Sequence, residues 1–182
     1  MGTHGHTGLK HALLGSVAER TVEYAPCSVW TVKGERGAEP RTIVVGTDFS
    51  KAGGEALEVA AEWARSFGAS VHVVHALHLP MPLIAPYEVA IPEGVIEGAR
   101  REAQRQLEQA AKSLTGISVT TELASTPAHA ALVDAAKRLS ADLIVTGSRG
   151  HTGVKHALLG SVAERTLRYA PCSVLTVRRT PA

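Results

Sequence analysis

The sequence predicts an α/β fold, a doubly wound sheet of five parallel strands with helices on both faces, preceded by an N-terminal helix and strand. From residue 41 onwards, short β-branched apolar runs alternate with longer segments whose apolar residues recur at helical spacing. This alternation is typical of a parallel sheet with crossover helices. In addition, residues 1–33 repeat residues 146–178 with eight differences, leaving 33 − 8 = 25 identical positions. The chain therefore divides into a partial repeat with its linker, 1–38, and a complete domain, 39–182.

Each element has a local signal in the sequence. The first strand of the complete domain ends in glycine at 46, and Ser50 caps a helix that ends before Gly68. Pro127 is placed in the first turn of its helix, where a missing N–H costs nothing. The remaining predictions are strands at 27–32, 70–77, 118–123, 142–146 and 172–177 and helices at 16–24, 93–114, 126–139 and 161–169. The proline-rich connection 79–92 is a candidate lid.

The glycine-rich loop between the fourth strand and the last helix of the domain has a composition that is typical of an anion-binding site. Gly147, Gly150 and Gly160 carry no Cβ, so their N–H groups could approach a phosphate closely. Ser161 begins a helix whose positive end favours an anion. The alternative is that the glycines only turn the chain and that Ser161 and Glu164 form a capping box.

The loop spacing, G-x2-G-x9-G-Ser, resembles the nucleotide-binding signature of the universal stress proteins, in the branch that binds ATP. It is neither a Walker A loop, because no Gly-Lys-Ser/Thr follows, nor a Rossmann fingerprint, which belongs after the first strand. The resemblance covers 40–178 and implies the strand order 3-2-1-4-5. The N-terminal copy keeps the motif as Gly2, Gly5, Gly15 and Ser16.

The resemblance also implies which residues contact the nucleotide. Asp48 ends the first strand beside the fourth, where it could accept hydrogen bonds from ribose or adenine; its alternative role is a carboxylate favoured by the helix dipole. Arg149 and Lys155 could add positive charge near the phosphates, although both could equally be solvated charges of the loop. The full set of implied contacts is Gly46, Thr47, Asp48, Ala76, Thr146, Gly147, Arg149, Gly150, Gly160, Ser161, Val162 and Ala163.

These patterns predict an ATP-binding regulatory stress-response protein, with Mg²⁺ accompanying the nucleotide. No catalytic group or metal-ligand set stands out, so hydrolysis is expected to be slow or absent and the protein is at most a weak ATPase. One alternative is a protein-protein interaction module of the same fold with an empty loop. A less favoured alternative is an adenylyl-transfer enzyme.

The composition and the net charge limit the kinds of binding partner that are expected. A net charge of +2 gives no reason to expect nucleic acid. No apolar run approaches the ~20 residues of a membrane helix, and the N-terminus lacks the apolar core of a signal peptide, so a cytoplasmic location is expected. Cys27 and Cys172 are equivalent positions of the repeat and are expected to be small apolar residues rather than a disulfide.

The expected assembly follows from the last strand. It is predicted to lie at an edge of the sheet, and in the family this edge pairs with its counterpart. A homodimer, or a swapped dimer through the last strand, is therefore expected. The N-terminal copy of that strand could instead pair with it within one chain.

Overall fold

The computed structural model describes residues 16–33, 39–77, 92–148 and 159–178. The predicted lid, 79–92, lies outside these ranges except for its last residue. The helices are α1 (Ser16–Tyr24), α2 (Lys51–Phe67), α3 (Glu93–Ser113), α4 (Ala128–Arg138) and α5 (Ser161–Tyr169). The strands are β1 (Val29–Thr31), β2 (Thr42–Gly46), β3 (Ser70–Ala76), β4 (Val119–Ala124), β5 (Leu143–Gly147) and β6 (Ser173–Val177).

Most element ends follow the local signals. Ser50 caps α2 by accepting a hydrogen bond from the Gly53 N–H, and Gly68 ends the helix in the left-handed region, with φ of 65°. The prediction for Pro127 is wrong by one position. Its extended backbone, with ψ of 138°, keeps it at the N-cap, so the first turn of α4 starts at Ala128.

The sheet has six strands in the order β1-β6-β5-β2-β3-β4, so the prediction of five strands was one short. The strands β2 to β6 all pair parallel with one another. Counted from β2 along the chain, these five stand in the order 3-2-1-4-5. The additional strand, β1, pairs antiparallel with β6. The prediction that the last strand lies at an edge is therefore wrong, because β1 covers it.

Two apolar layers hold the helices against the sheet. On one face, α2 and α3 pack over alternate strand residues, with Ile43, Val73 and Leu107 among the buried side chains. On the other face, α1, α4 and α5 cover Val44 and Val174. Because successive strand residues point to opposite faces, strands buried on both sides read as continuous apolar runs. Within the described ranges, no helix is long and apolar enough to cross a membrane.

The two cysteines are both free but lie in different surroundings, because Cys27 is exposed and Cys172 is partly covered. Burial, and to a smaller extent the Asp142 carboxylate, raises the pKa of the Cys172 thiol from 9.0 to about 12. A pKa shifted this far lowers the reactive thiolate fraction roughly a thousandfold at neutral pH. We therefore expect iodoacetamide at pH 8 to alkylate Cys27 and leave Cys172 unmodified.

Peptide mass spectrometry checks this expectation, and labelling in urea is the control, since unfolding should make both thiols react. Equal labelling of the two cysteines in the folded protein would contradict the burial of Cys172.

Candidate functional site

A cavity of about 290 Å³ lies at the carboxyl ends of β2 and β5, the two central parallel strands. This is the edge at which open α/β sheets bind ligands, and the volume is near the lower end for small-molecule sites. The described residues that line it are Gly46, Thr47, Asp48, Gly53, Val74, Ala76, Ala128, Leu132, Thr146, Gly147, Gly160, Ser161, Val162 and Ala163.

The cavity brings together most of the residues that the sequence predicts as nucleotide contacts. Of the predicted set, Gly46, Thr47, Asp48, Ala76, Thr146, Gly147, Gly160, Ser161, Val162 and Ala163 line it. Arg149 and Gly150 lie outside the described residues, as does Lys155.

One wall is a tight turn between β2 and α2. Asp48 Oδ1 accepts hydrogen bonds from the Ser50 N–H, at 3.0 Å, and from the Ser50 hydroxyl. Thr47 Oγ1 accepts from the Phe49 N–H at 3.1 Å, and Phe49 has a φ of 60°, which is uncommon for a bulky residue. His75 supports the turn from β3, because its Nδ1 lies 2.8 Å from the Thr47 carbonyl oxygen. These bonds hold Asp48 in place, and backbone strain of this kind is frequent at ligand sites.

Glycines at two positions allow α2 to approach the strand ends. A Cβ on Gly53 would lie 2.8 Å from Asp48 Oδ1 and 2.9 Å from Thr47 Oγ1. A Cβ on Gly147 would lie 3.0 Å from the carbonyl oxygen of Ala52. Side chains at either position would therefore push α2 away from β2 or β5 and deform the cavity.

The N-terminus of α5 forms the opposite wall. Gly160 is the N-cap, with an extended backbone (φ −74°, ψ 146°), and its carbonyl accepts from the Glu164 N–H at 3.0 Å. The predicted capping box is therefore wrong, because Ser161 is already the first helical residue. The first N–H groups of a helix have no partner within it, so Ser161, Val162 and Ala163 present donors and a positive dipole end at this wall.

The ends of the glycine loop are fixed although its centre, 149–158, lies outside the described residues. The Gly160 N–H donates to the Ser148 carbonyl at 2.8 Å, and the Ser148 N–H donates to the Val177 carbonyl at 2.8 Å. These bonds tie the start of α5 to the ends of β5 and β6.

A polar group at the base of the cavity is left without a protein partner. Thr146 is buried, and its Oγ1 forms no hydrogen bond with any described residue. A buried hydroxyl of this kind costs free energy unless a ligand or water satisfies it. The remaining wall is apolar and is formed by Val74, Ala76, Ala128 and Leu132.

Asp48 is the only ionisable residue among the described residues of the lining. No group of three or more His, Cys, Asp or Glu residues gathers anywhere in the described ranges in a way that could hold a metal ion. The cavity thus combines an apolar slot, one carboxylate and a helix N-terminus, an arrangement that suits a small molecule with a flat apolar part and an anionic part.

Four lining residues were missed by the sequence analysis: Gly53, Val74, Ala128 and Leu132. Gly53 had a signal, since a Gly-Gly pair inside a predicted helix is unfavourable unless close packing requires it. The other three are ordinary apolar residues that tertiary packing brings to the cavity.

The fold and the cavity define a doubly wound α/β protein with a ligand site at the carboxyl edge of its sheet. The model of the universal stress protein family matches residues 1–33 and 39–178, and the chain belongs to that family. A universal stress protein of Methanocaldococcus jannaschii is 34% identical over 146 residues, which cover 76% of this chain and 82% of the relative.

Two solved structures are informative for different parts of the chain. A universal stress protein in complex with cAMP is 28% identical, with a TM-score of 0.54, and the match covers 78% of this chain and 98% of that one. A universal stress protein of Pseudomonas aeruginosa is 26% identical with a TM-score of 0.70. Its match covers 97% of this chain and 61% of the Pseudomonas chain, so it extends into the N-terminal repeat.

Proposed function

We propose that this protein is a regulatory stress-response protein that binds ATP, together with Mg²⁺, in the cavity between β2, β5 and α5. The observation that carries the proposal is the pairing of the α5 N-terminus with a buried, unsatisfied Thr146 hydroxyl across a glycine-lined cavity. The relative that was solved with cAMP supports an adenine nucleotide as the class of ligand.

The parts of the nucleotide correspond to the parts of the cavity. The free N–H groups of Ser161, Val162 and Ala163 would donate to phosphate oxygens. Asp48 would accept a hydrogen bond from the ribose or the adenine, and the Thr146 hydroxyl would form its hydrogen bond with the ligand. The apolar wall of Val74 and Leu132 would contact the base, with the backbone of Ala76 at its edge. Arg149 and Gly150 complete the phosphate contacts in this proposal.

Mg²⁺ would be bound mainly by the phosphates and by water, because Mg²⁺ keeps several waters and uses few protein carboxylates in nucleotide sites. Asp48 is the only carboxylate in the described lining, and it already accepts two hydrogen bonds from Ser50. Rapid hydrolysis needs a positioned water, a base or orienting residue and charge on the γ-phosphate. We therefore propose a protein that holds ATP and turns it over slowly or not at all.

The test is to purify the chain without added nucleotide, denature it, and separate the supernatant by anion exchange beside ATP, ADP and AMP standards. We expect ATP at roughly one equivalent per chain. Recovery of mostly ADP would contradict slow hydrolysis. An empty supernatant, followed by calorimetry that detects no ATP binding with Mg²⁺, would exclude the nucleotide function and favour an interaction module.

A further inference from the structure

The strand β4 lies at one end of the sheet and pairs only with β3 among the described residues. The hydrogen bonds to β3 show which of its residues face inward. The Ser118 carbonyl accepts from the Val71 N–H, and the Ala124 carbonyl accepts from the Leu77 N–H, both at 2.9 Å. Because backbone groups alternate in direction along a strand, every second residue from Ser118 to Ala124 is directed at β3.

The residues in between, Val119, Thr121 and Leu123, therefore direct their N–H and C=O groups away from β3. No described residue forms a backbone hydrogen bond with these groups. Proteins usually protect such an edge with lysine, proline or a bulge. β4 contains neither lysine nor proline, and its register with β3 runs without a bulge. The edge is therefore open to a further strand.

The single charged residue of β4 is paired on the face of the sheet that α4 covers. Glu122 Oε2 lies 2.9 Å from His72 Nε2 and also accepts a hydrogen bond from the Arg138 guanidinium. His72 is held on its other side, since its Nδ1 lies 2.7 Å from Thr120 Oγ1. The Glu122 carboxylate is thus engaged within the domain and does not protect the open edge.

On the opposite face, a groove of about 560 Å³ lies between α3 and β4. Val119 and Leu123 direct their side chains to this face, where they pack against the core under α2 and α3. A strand added to β4 would direct every second side chain to the same face, toward the groove. The groove is lined by Arg100, Arg101, Gln104, Arg105, Glu108 and Leu123.

The charge of this groove is mainly positive, because three of its six lining residues are exposed arginines. Arg105 is paired with Glu102, at 2.6 and 2.9 Å. Glu108, the one carboxylate of the described lining, accepts from the neighbouring glutamine side chain at 2.8 Å. Arg100 and Arg101 form no ion pair with any described residue. Two guanidinium groups are therefore free to bind carboxylates.

From the open edge and the charge of the groove we propose that β4 is the docking site for an extended acidic segment of another protein. The segment adds a strand to the sheet and directs alternate carboxylates toward Arg100 and Arg101. Its main chain pairs with the free groups of Val119, Thr121 and Leu123. A second copy of β4 fits less well, because antiparallel pairing would place both α3 helices on one face and bring their arginines together.

The probe is a blocked fluorescent peptide of alternating glutamate and threonine, long enough to span β4. In an extended chain all its carboxylates lie on one face. We expect fluorescence anisotropy to show saturable binding to the full-length chain, and a peptide of alternating lysine and threonine should not bind. Binding of both peptides with equal affinity would overturn the proposal.

Arg100→Glu combined with Arg101→Glu tests the groove, and should weaken binding of the acidic peptide by about tenfold or more. Arg20→Glu combined with Arg165→Glu is the matched control. It makes the same change of charge at two exposed arginines on α1 and α5, which lie away from β4, and should leave the affinity unchanged. An equal loss in both double variants would show nonspecific attraction and overturn the proposal.

Thr121→Pro tests the edge, because it removes one outward N–H and no hydrogen bond to β3. We expect this variant to keep its circular dichroism and lose the peptide. The peptide itself gives a test that does not depend on folding of the variant. N-methylation of its glutamates should block antiparallel addition to β4, and N-methylation of its threonines should block parallel addition. Unchanged binding of both methylated peptides would overturn strand addition.

Two further outcomes would assign the edge to a different occupant and overturn the proposal. One is a dimer of the parent chain in sedimentation equilibrium that Thr121→Pro dissociates, which would indicate a second copy. The other is a single-stranded oligothymidylate that displaces the acidic peptide and binds more tightly. The groove and the nucleotide cavity share no described lining residue, so the peptide result and the ATP result are independent.

Discussion

Gly53→Ala is expected to abolish ATP binding and to lower the thermal stability, whereas Gly54→Ala, one residue further along α2, is expected to do neither. The Cβ of the first variant would lie 2.8 Å from Asp48 Oδ1 and 2.9 Å from Thr47 Oγ1, so the turn that holds Asp48 must move. Overpacking of this kind typically costs about 1–3 kcal/mol. The Cβ of the second meets no atom within 4 Å, and alanine in a helix gains up to about 1 kcal/mol over glycine.

Calorimetric titration with ATP and Mg²⁺, and thermal unfolding of the nucleotide-free chains, measure the two effects separately. Because both variants make the same chemical change in the same helix, their difference isolates the contact with the turn. If Gly53→Ala binds ATP with the affinity of the parent chain, the turn between β2 and α2 is not part of the nucleotide site. If Gly54→Ala loses binding as well, the effect comes from α2 as a whole.

The elements of the fold could be predicted because their signals are local. The β-branched runs, Ser50 as a cap and Gly68 as a stop each depend on a few neighbouring residues, and the structure confirms them. The coverage of β6 could not be predicted in the same way. Its pairing with β1 joins segments about 145 residues apart. The repeated sequence is equally compatible with pairing within one chain and with pairing between chains.

The start of α5 shows why a local signal can still mislead. Gly and Ser are both good N-caps, so the sequence allows either Gly160 or Ser161 to take that position. The hydrogen bond from the Gly160 N–H to Ser148 fixes the path of the loop and makes Gly160 the cap. Ser161 is then part of the wall of the cavity instead of a capping box.

The candidate site was predictable where a residue type is required by chemistry and not where packing alone selects it. Glycine spacing and a carboxylate at the end of the first strand pointed to Gly147 and Asp48, which line the cavity. Leu132 lines it because α4 packs against β2, where a Cβ on Gly46 would lie 3.0 Å from the Leu132 side chain. Nothing in the sequence distinguishes Leu132 from a buried leucine that does not line the cavity.

Asp48→Asn is the second variant with a large expected effect, and it separates the two roles considered for this carboxylate. The amide oxygen can keep the hydrogen bonds from Ser50 that Oδ1 now accepts, so the turn should survive with little change in melting temperature. The negative charge and one acceptor oxygen are lost. Hydrogen bonds to a charged group are worth about 1.5–3 kcal/mol, so we expect ATP affinity to fall by about tenfold to a hundredfold.

Titrations with ATP and with its 2′- and 3′-deoxy analogues identify the group that Asp48 contacts. If Asp48 accepts from a ribose hydroxyl, the analogue that lacks this hydroxyl binds weakly to the parent chain and loses little more in Asp48→Asn, because the two changes remove the same hydrogen bond. If it accepts from adenine, the losses add. If Asp48 only complements the dipole of α2, the variant keeps its ATP affinity and instead loses about 0.3–1 kcal/mol of stability. That result would remove Asp48 from the nucleotide site while leaving the α5 wall and the Thr146 hydroxyl to bind the ligand.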